Sequence, residues 1–527
     1  MKRHQWIGSV LAIALAALPL IRTAADENKP LVVARDMDLN SLDPGRALCD
    51  TCQIYLAATY ETLVTLDANN QIVPLLAKSW DVDNQQTHYV FHLADNAVFS
   101  DGTPVTAKDV KFSFQRLINL KAGPSFYVDD VKTVTVVDDH TVAIDLKAPD
   151  SAFLGILAAT FIGITNSAEA MQHGASDADD AATKDTAEPW FLAHSAGSGP
   201  YVLTSYRPND ELRLTRNPKY WRKPAPINEV VLRETKDAVA QSQMLENGGA
   251  DIAMQVDPDT AKSVHSPDVV IRGAPSFNFL YLALSPGAKG NKVPLTPDVR
   301  EAVAAALDYN GIIDVTVAGQ GRRIAVPIPL GFPGGDGHKL PVQDLPRAKQ
   351  LLAKAGLSSG FDITAKFAAV NSYGVDFSLL MQKIQQDLAQ INIRLHLQPM
   401  PFPIWQQNVN GDGIPLTIGF FAPDCFCTTE YVKFFAMMPG TVWARRAGAK
   451  NEPSMFNPRE AELYAKALAS SGEAMQKAYF DIGEEMIKDR IIIPLLSPNQ
   501  ILAYRKDIEG VRASTCCILE VAGVSRK

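Results

Sequence analysis

Two periodicities interleave along this chain. A short apolar block at residues 31–34 predicts a buried strand, Ser41-Leu42-Asp43-Pro44 predicts a turn, and helical spacing over residues 54–63 predicts a helix. Residues 88–93 alternate with period two, and residues 131–147 read as a hairpin turned at Asp138, Asp139 and His140. After the turn Gly197-Ser198-Gly199-Pro200-Tyr201, further strands are expected at 202–206, 211–215 and 229–233. The Ala/Asp-rich residues 171–187 are expected to form a surface helix or insertion with solvated acids.

Helices dominate the second half. Thr296-Pro297-Asp298-Val299-Arg300-Glu301 supplies a hydroxyl cap, a proline at the first helical position and an acid in the first turn. A second helix is expected over 345–355, stopped by Gly356, and a third carries Leu380, Ile384, Leu388 and Ile391. A strand at 393–397, amphipathic helices at 459–469 and 476–487, and a strand at 491–496 follow. This mixture predicts an α/β protein, and 527 residues are too many for one small core.

Charge and ends narrow the class. Lys2 and Arg3 precede an apolar run over residues 6–20 and the small residues Thr23, Ala24 and Ala25, the pattern of a secretory signal peptide spanning residues 1–25. No cysteine at that junction signals a lipid anchor, so a periplasmic location is expected. Cleavage would remove Lys2, Arg3 and Arg22 and make the net charge of −8 more negative. No basic stretch with interleaved aromatics is present, which argues against nucleic acid as a partner.

Motifs of chemistry are weak. Ala193-His194-Ser195-Ala196-Gly197 resembles a nucleophile elbow, but Ala193 stands where the first glycine belongs, and a turn and strand follow instead of a helix. Asp81-Val82-Asp83-Asn84 starts like a calcium loop and lacks its glycine and its later glutamate. The nine histidines show no metal-ligand spacing. No catalytic residue, metal or cofactor is expected, and the chain is not read as an enzyme.

Several ordered motifs do stand out: Pro74-Leu75-Leu76-Ala77-Lys78-Ser79-Trp80, Phe99-Ser100-Asp101-Gly102-Thr103-Pro104, Arg216-Asn217-Pro218-Lys219-Tyr220-Trp221 and Val299-Arg300-Glu301-Ala302-Val303. Together they resemble the periplasmic oligopeptide- and dipeptide-binding proteins of ABC importers, extracellular solute-binding protein family 5. The resemblance implies a two-lobed, hinged periplasmic binding protein fold of type II that closes over its ligand, with an extra subdomain in the first lobe. Lobe I would comprise residues 26–55, 197–275 and 498–527, the extra subdomain 56–196, and lobe II 276–497. The resemblance further implies a monomer that captures a peptide or peptide-like solute and delivers it to an inner-membrane permease and its ATPase.

Site residues follow from the same resemblance. Asp424, in Phe420-Phe421-Ala422-Pro423-Asp424-Cys425-Phe426-Cys427, stands where relatives pair an acid with the ligand's amino group. Asn371, near Tyr373, occupies the place of the arginine that holds a dipeptide carboxylate, and an amide does not replace a bidentate guanidinium. Asn278 lies where the chain would cross the hinge, and Phe420 and Phe421 are candidate ligand contacts.

Six cysteines form three close pairs, Cys49 with Cys52, Cys425 with Cys427, and Cys516 with Cys517. Export favours disulfides. Rings closed within Cys-x-Cys or between adjacent cysteines are strained, so bridges between distant segments are expected. Four thiolates converging on the cleft would instead hold a soft metal, which makes a metal or metal-complex binder the alternative function on this fold. A secreted hydrolase using Ser195 is the third reading.

Overall fold

The apolar block at the start becomes the strand Leu31–Arg35, paired in parallel with Glu229–Glu234 on one side and Ile252–Ala253 on the other. Neighbours on both edges and cover on both faces explain why it is an unbroken apolar run. This computed structural model describes residues 29–514 and 518–527, so the expected signal peptide lies outside the described residues, as do Cys516 and Cys517. Glu211–Arg216 and then Tyr201–Arg207 extend the sheet antiparallel beyond Glu229–Glu234.

The second lobe repeats this logic with different strands. Phe279–Leu284, buried at all of its residues, lies between Leu416–Phe421 and the first part of Ile492–Arg505. Phe361–Ala368 and Ile393–Met400 pair in parallel further out. Helices Pro297–Ala306 and Phe377–Ala389 cover one face through Val299, Val303, Leu380 and Ile384, positions that the helical spacing singles out.

One strand belongs to both lobes. Ile492–Arg505 pairs with Phe279–Leu284 through its first residues and with Val269–Pro275 through its last. Residues 276–278 run alongside, tied where the Ser497 hydroxyl and the Arg322 guanidinium both donate to the Ser276 carbonyl, at 3.1 and 2.9 Å. These adjacent connections join the halves of a two-lobed α/β fold. A separate four-stranded antiparallel sheet, formed by Ala77–Val82, His88–Leu93, Val131–Asp138 and Thr141–Leu146, packs with the first lobe's core.

The structure corrects two local expectations. The helix expected over 54–63 is Asp50–Thr59, because Cys49 is its N-cap, with its sulfur accepting from the Cys52 N–H, and Tyr60 is already extended. The acids of residues 171–187 are not all solvated. Asp185 is fully buried, 2.8 Å from the Arg116 guanidinium, which also grips Asp43 at 2.6 Å. Short helices such as Ala181–Lys184 fold that stretch against the helix Ala107–Leu120, a tertiary event that composition does not reveal.

Glu211 is held by a different mechanism. Its buried carboxylate accepts from Arg213 at 2.5 Å, and from Arg207 and Arg233, which holds its pKa down at about 2. The folded value lies below the ordinary 4.5, so this stabilisation is present above that value and is lost as pH falls towards 2. Glu211→Gln is expected to cost about 1–2 kcal/mol at neutral pH, allowing for screening of the partly exposed arginines. Denaturant titrations at neutral and strongly acid pH check this, because the deficit must shrink at acid pH.

Candidate functional site

Residues from both lobes enclose a cavity of about 790 Å³, a size suited to a small molecule. The first lobe contributes Arg35, Asp36 and Asp50, and the connecting segments contribute Asn278 and Asn499. From the second lobe come Asn371, Tyr373 and Pro423.

Local geometry explains why Tyr373 is there. Asn371–Ser372 pairs with Val375–Asp376, and the intervening Tyr373 and Gly374 both have positive φ, 53° and 79°. This is the tight hairpin turn whose twist matches its strands, at a conformational cost for tyrosine that glycine does not incur. Packing holds the ring in place, edge-on against Phe420 with centroids 5.5 Å apart.

Asp424 sits at the wall beside Pro423. Its carboxylate accepts from the Gln53 amide at 3.5 Å, a contact that crosses between the lobes. Its N–H donates to Glu430 at 3.3 Å. Burial raises the pKa of Asp424, and the nearby charge of Asp50 raises it further. Asp50 is itself shifted up, first by burial, with Arg35 opposing and Asp38 assisting. Burial and the same acids push the Tyr373 phenol well above its ordinary value. The site therefore brings half-buried carboxylates together beside Arg35.

The expected site residues separate into two groups. Asn278, Asn371 and Tyr373 line the cavity, whereas Asp424 stands immediately behind Pro423. Phe420 supports Tyr373 from behind. Phe421 faces away, into an aromatic cluster with Phe279, Tyr431 and Phe434, because successive strand residues point to opposite faces. Sequence reasoning missed Asp50, Gln53 and Glu430. The position of Asp50 between two cysteines at a helix start was a usable signal for the first, whereas the other two carry none.

The expectation that the cysteines bridge distant segments is wrong for the two described pairs. Cys49 is bonded to Cys52 and Cys425 to Cys427. The extended cap residue Cys49 brings its sulfur over Cys52, with Cα atoms 5.0 Å apart, and the second loop doubles back at Phe426, with Cα atoms 5.3 Å apart. Spacing alone does not disclose either bend. For the third pair the same expectation falls on Cys516 and on Cys517, and both lie outside the described residues. The Ser195 hydroxyl accepts from the Leu203 N–H at 3.0 Å, and the adjacent His194 stacks on Trp190.

Away from the cavity the lobes also touch. Gln86 donates to the Ser470 carbonyl at 2.8 Å, Ser151 donates through its N–H to Leu468 and through its hydroxyl to Ala467, and Lys433 pairs with Asp130 at 3.2 Å. Gly155, in the helix Phe153–Leu157, lies against the Cys425–Cys427 loop, where a Cβ would come 2.4 Å from the Phe426 carbonyl oxygen.

Residues 71–434 match the profile of the bacterial extracellular solute-binding proteins, family 5 Middle. A probable D,D-dipeptide-binding periplasmic protein, DdpA, of Escherichia coli K12 is 27% identical over 514 residues, covering 95% of each chain. The glutathione-binding protein GsiB of Salmonella typhi is 24% identical, covering 96% of each. The solved periplasmic binding protein DppA from Helicobacter pylori, in complex with peptide STSA, superposes with a TM-score of 0.76 at 21% identity, covering 95% of this chain and 98% of that one. Among the described residues no helix is long and apolar enough to cross a membrane.

Proposed function

This chain belongs to the bacterial extracellular solute-binding proteins, family 5, the substrate-binding components of ABC transporters, and we propose that it captures a cationic peptide or peptide-like solute in the periplasm. It hands that solute to an inner-membrane permease driven by its ATPase. The relatives named for a D,D-dipeptide and for glutathione, and the structure holding peptide STSA, support the peptide-like class.

The observation that carries the reading is the pairing of Asp50, which lines the cavity from one lobe, with Asp424, the neighbour of the lining residue Pro423 on the other. Both are half-buried, and the charge of Asp50 raises the cost of ionising Asp424. A ligand ammonium placed beside them relieves that cost in a site that closure dries further. Asn371 also lines the cavity, as a neutral amide. A free carboxylate gains no bidentate partner from Asn371, which leaves Arg35 as a lining guanidinium.

Two measurements test this. Native mass spectrometry of protein isolated from the periplasm identifies what it retains, and a retained molecule without a cationic group defeats the proposal. Calorimetric titration with that molecule then compares Asp424→Asn with the parent. The expected loss is roughly 10- to 100-fold in Kd, about 1.4–2.8 kcal/mol, with the melting of the unliganded protein unchanged. Equal affinity in the two proteins would remove Asp424 from the ligand's reach.

A further inference from the structure

The loop that carries Asp424 holds a second constellation. Cys425, Cys427 and Glu430 place a ligand atom each within 4.8 Å of one another. We propose that, once a dithiol reductant opens the Cys425–Cys427 disulfide, these three side chains bind a thiophilic cation such as Zn²⁺.

The loop gathers all three ligands. Glu430 lies in the first turn of the helix Thr428–Phe435, with its carboxylate turned back over the loop, 3.7 Å from the Cys425 sulfur and in contact with the Asp424 N–H. Both cysteines are buried. Among the described residues the groups that act on the Glu430 carboxylate are Asp424 and backbone donors, with no lysine, arginine or histidine. Buried charge of one sign is costly unless paired or bound to a cation. The adjacent Tyr431 is fully buried, and its hydroxyl has no hydrogen-bond partner although its phenol lies within the influence of Glu430 and Asp424. A polar group in that state has a partner to gain.

The chemistry balances as follows. Two electrons from the dithiol break the S–S bond, giving two protein thiols and the reductant's own disulfide. Binding of a divalent cation displaces the two thiol protons and leaves two thiolates and one carboxylate on the metal. Two sulfurs and one oxygen suit Zn²⁺ and its softer neighbours over Mg²⁺ or Ca²⁺, and leave a fourth tetrahedral position open. The proposal is independent of solute capture.

Differential alkylation tests it on the full-length protein. Reduced protein is exposed to a thiol-alkylating reagent with and without Zn²⁺, and each cysteine's labelling is read by peptide mass spectrometry. Protection of Cys425 and Cys427 by the metal supports the site, and equal labelling with and without Zn²⁺ overturns it. Cobalt titration read by thiolate-to-metal charge-transfer absorption gives the second readout. The reduced parent and a Cys49→Ser/Cys52→Ser variant are expected to keep the signal from this site. Cys425→Ser and Cys427→Ser lose it, and Glu430→Gln weakens binding by at least the roughly 10- to 100-fold typical of even outer-shell partners. Unchanged binding in the cysteine variants, or equal binding by the oxidised parent, counts against the assignment. The comparison of oxidised with reduced parent needs no substitution, so a variant that fails to fold leaves the test intact.

Discussion

Replacing Arg116 with leucine is expected to lower the free energy of unfolding by about 3–5 kcal/mol, the range seen when one member of a buried ion cluster is removed. Arg116 has only 3% of its side chain exposed, and its guanidinium forks onto both Asp43 oxygens, at 2.7 and 2.6 Å, while gripping Asp185. Both carboxylates are fully buried. Leucine leaves them facing each other without that cation, with Arg46 still nearby. Neutralising both acids in the same background, by Asp43→Asn and Asp185→Asn, is expected to recover part of the loss, because the uncompensated charges rather than the missing contacts dominate. Denaturant unfolding of the three proteins decides the matter. A loss below about 1 kcal/mol would mean that the triad is hydrated like a surface pair.

Gly155→Val is expected to block closure while leaving each lobe folded. A Cβ there would sit 2.4 Å from the Phe426 carbonyl oxygen and 3.7 Å from the Cys427 side chain, both on the opposite lobe. Within its own helix the residue does not need glycine, since its φ is not positive. The overlap therefore arises only when the lobes meet. The affinity for the captured solute is expected to fall by roughly 100- to 1000-fold, about 3–4 kcal/mol, with the unliganded melt unchanged. Small-angle scattering should also show no compaction when ligand is added. Parent-like affinity would show that the loop yields at little cost.

What the chain disclosed in advance was local. Thr296-Pro297 opened a helix in the sequence because a cap and a proline act on their own turn, and the apolar residues Leu380, Ile384 and Leu388 marked a buried face for the same reason. The ordered motifs carried the family, and with it the two-lobed plan. The residues that escaped depend on partners far along the chain. Asp185 meets Arg116 across 69 positions, and Gln53 meets Asp424 across 371. No window of composition contains both members of either pair. The two described cysteine pairs failed for the opposite reason: their closure is so short that it turns on one extended cap residue and one bend, which residue type does not determine.

The contacts at the rim have a consequence for closure. The carbonyls of Ala467 and Leu468, at the end of the helix Pro458–Leu468, and of Ser470 just beyond it accept side-chain and backbone donors of Gln86 and Ser151 from the other lobe. Each bond is worth only about 0.5–1.5 kcal/mol net, since water serves the same carbonyls when the lobes part. None of them involves the captured molecule. These rim contacts therefore favour closure equally with and without cargo.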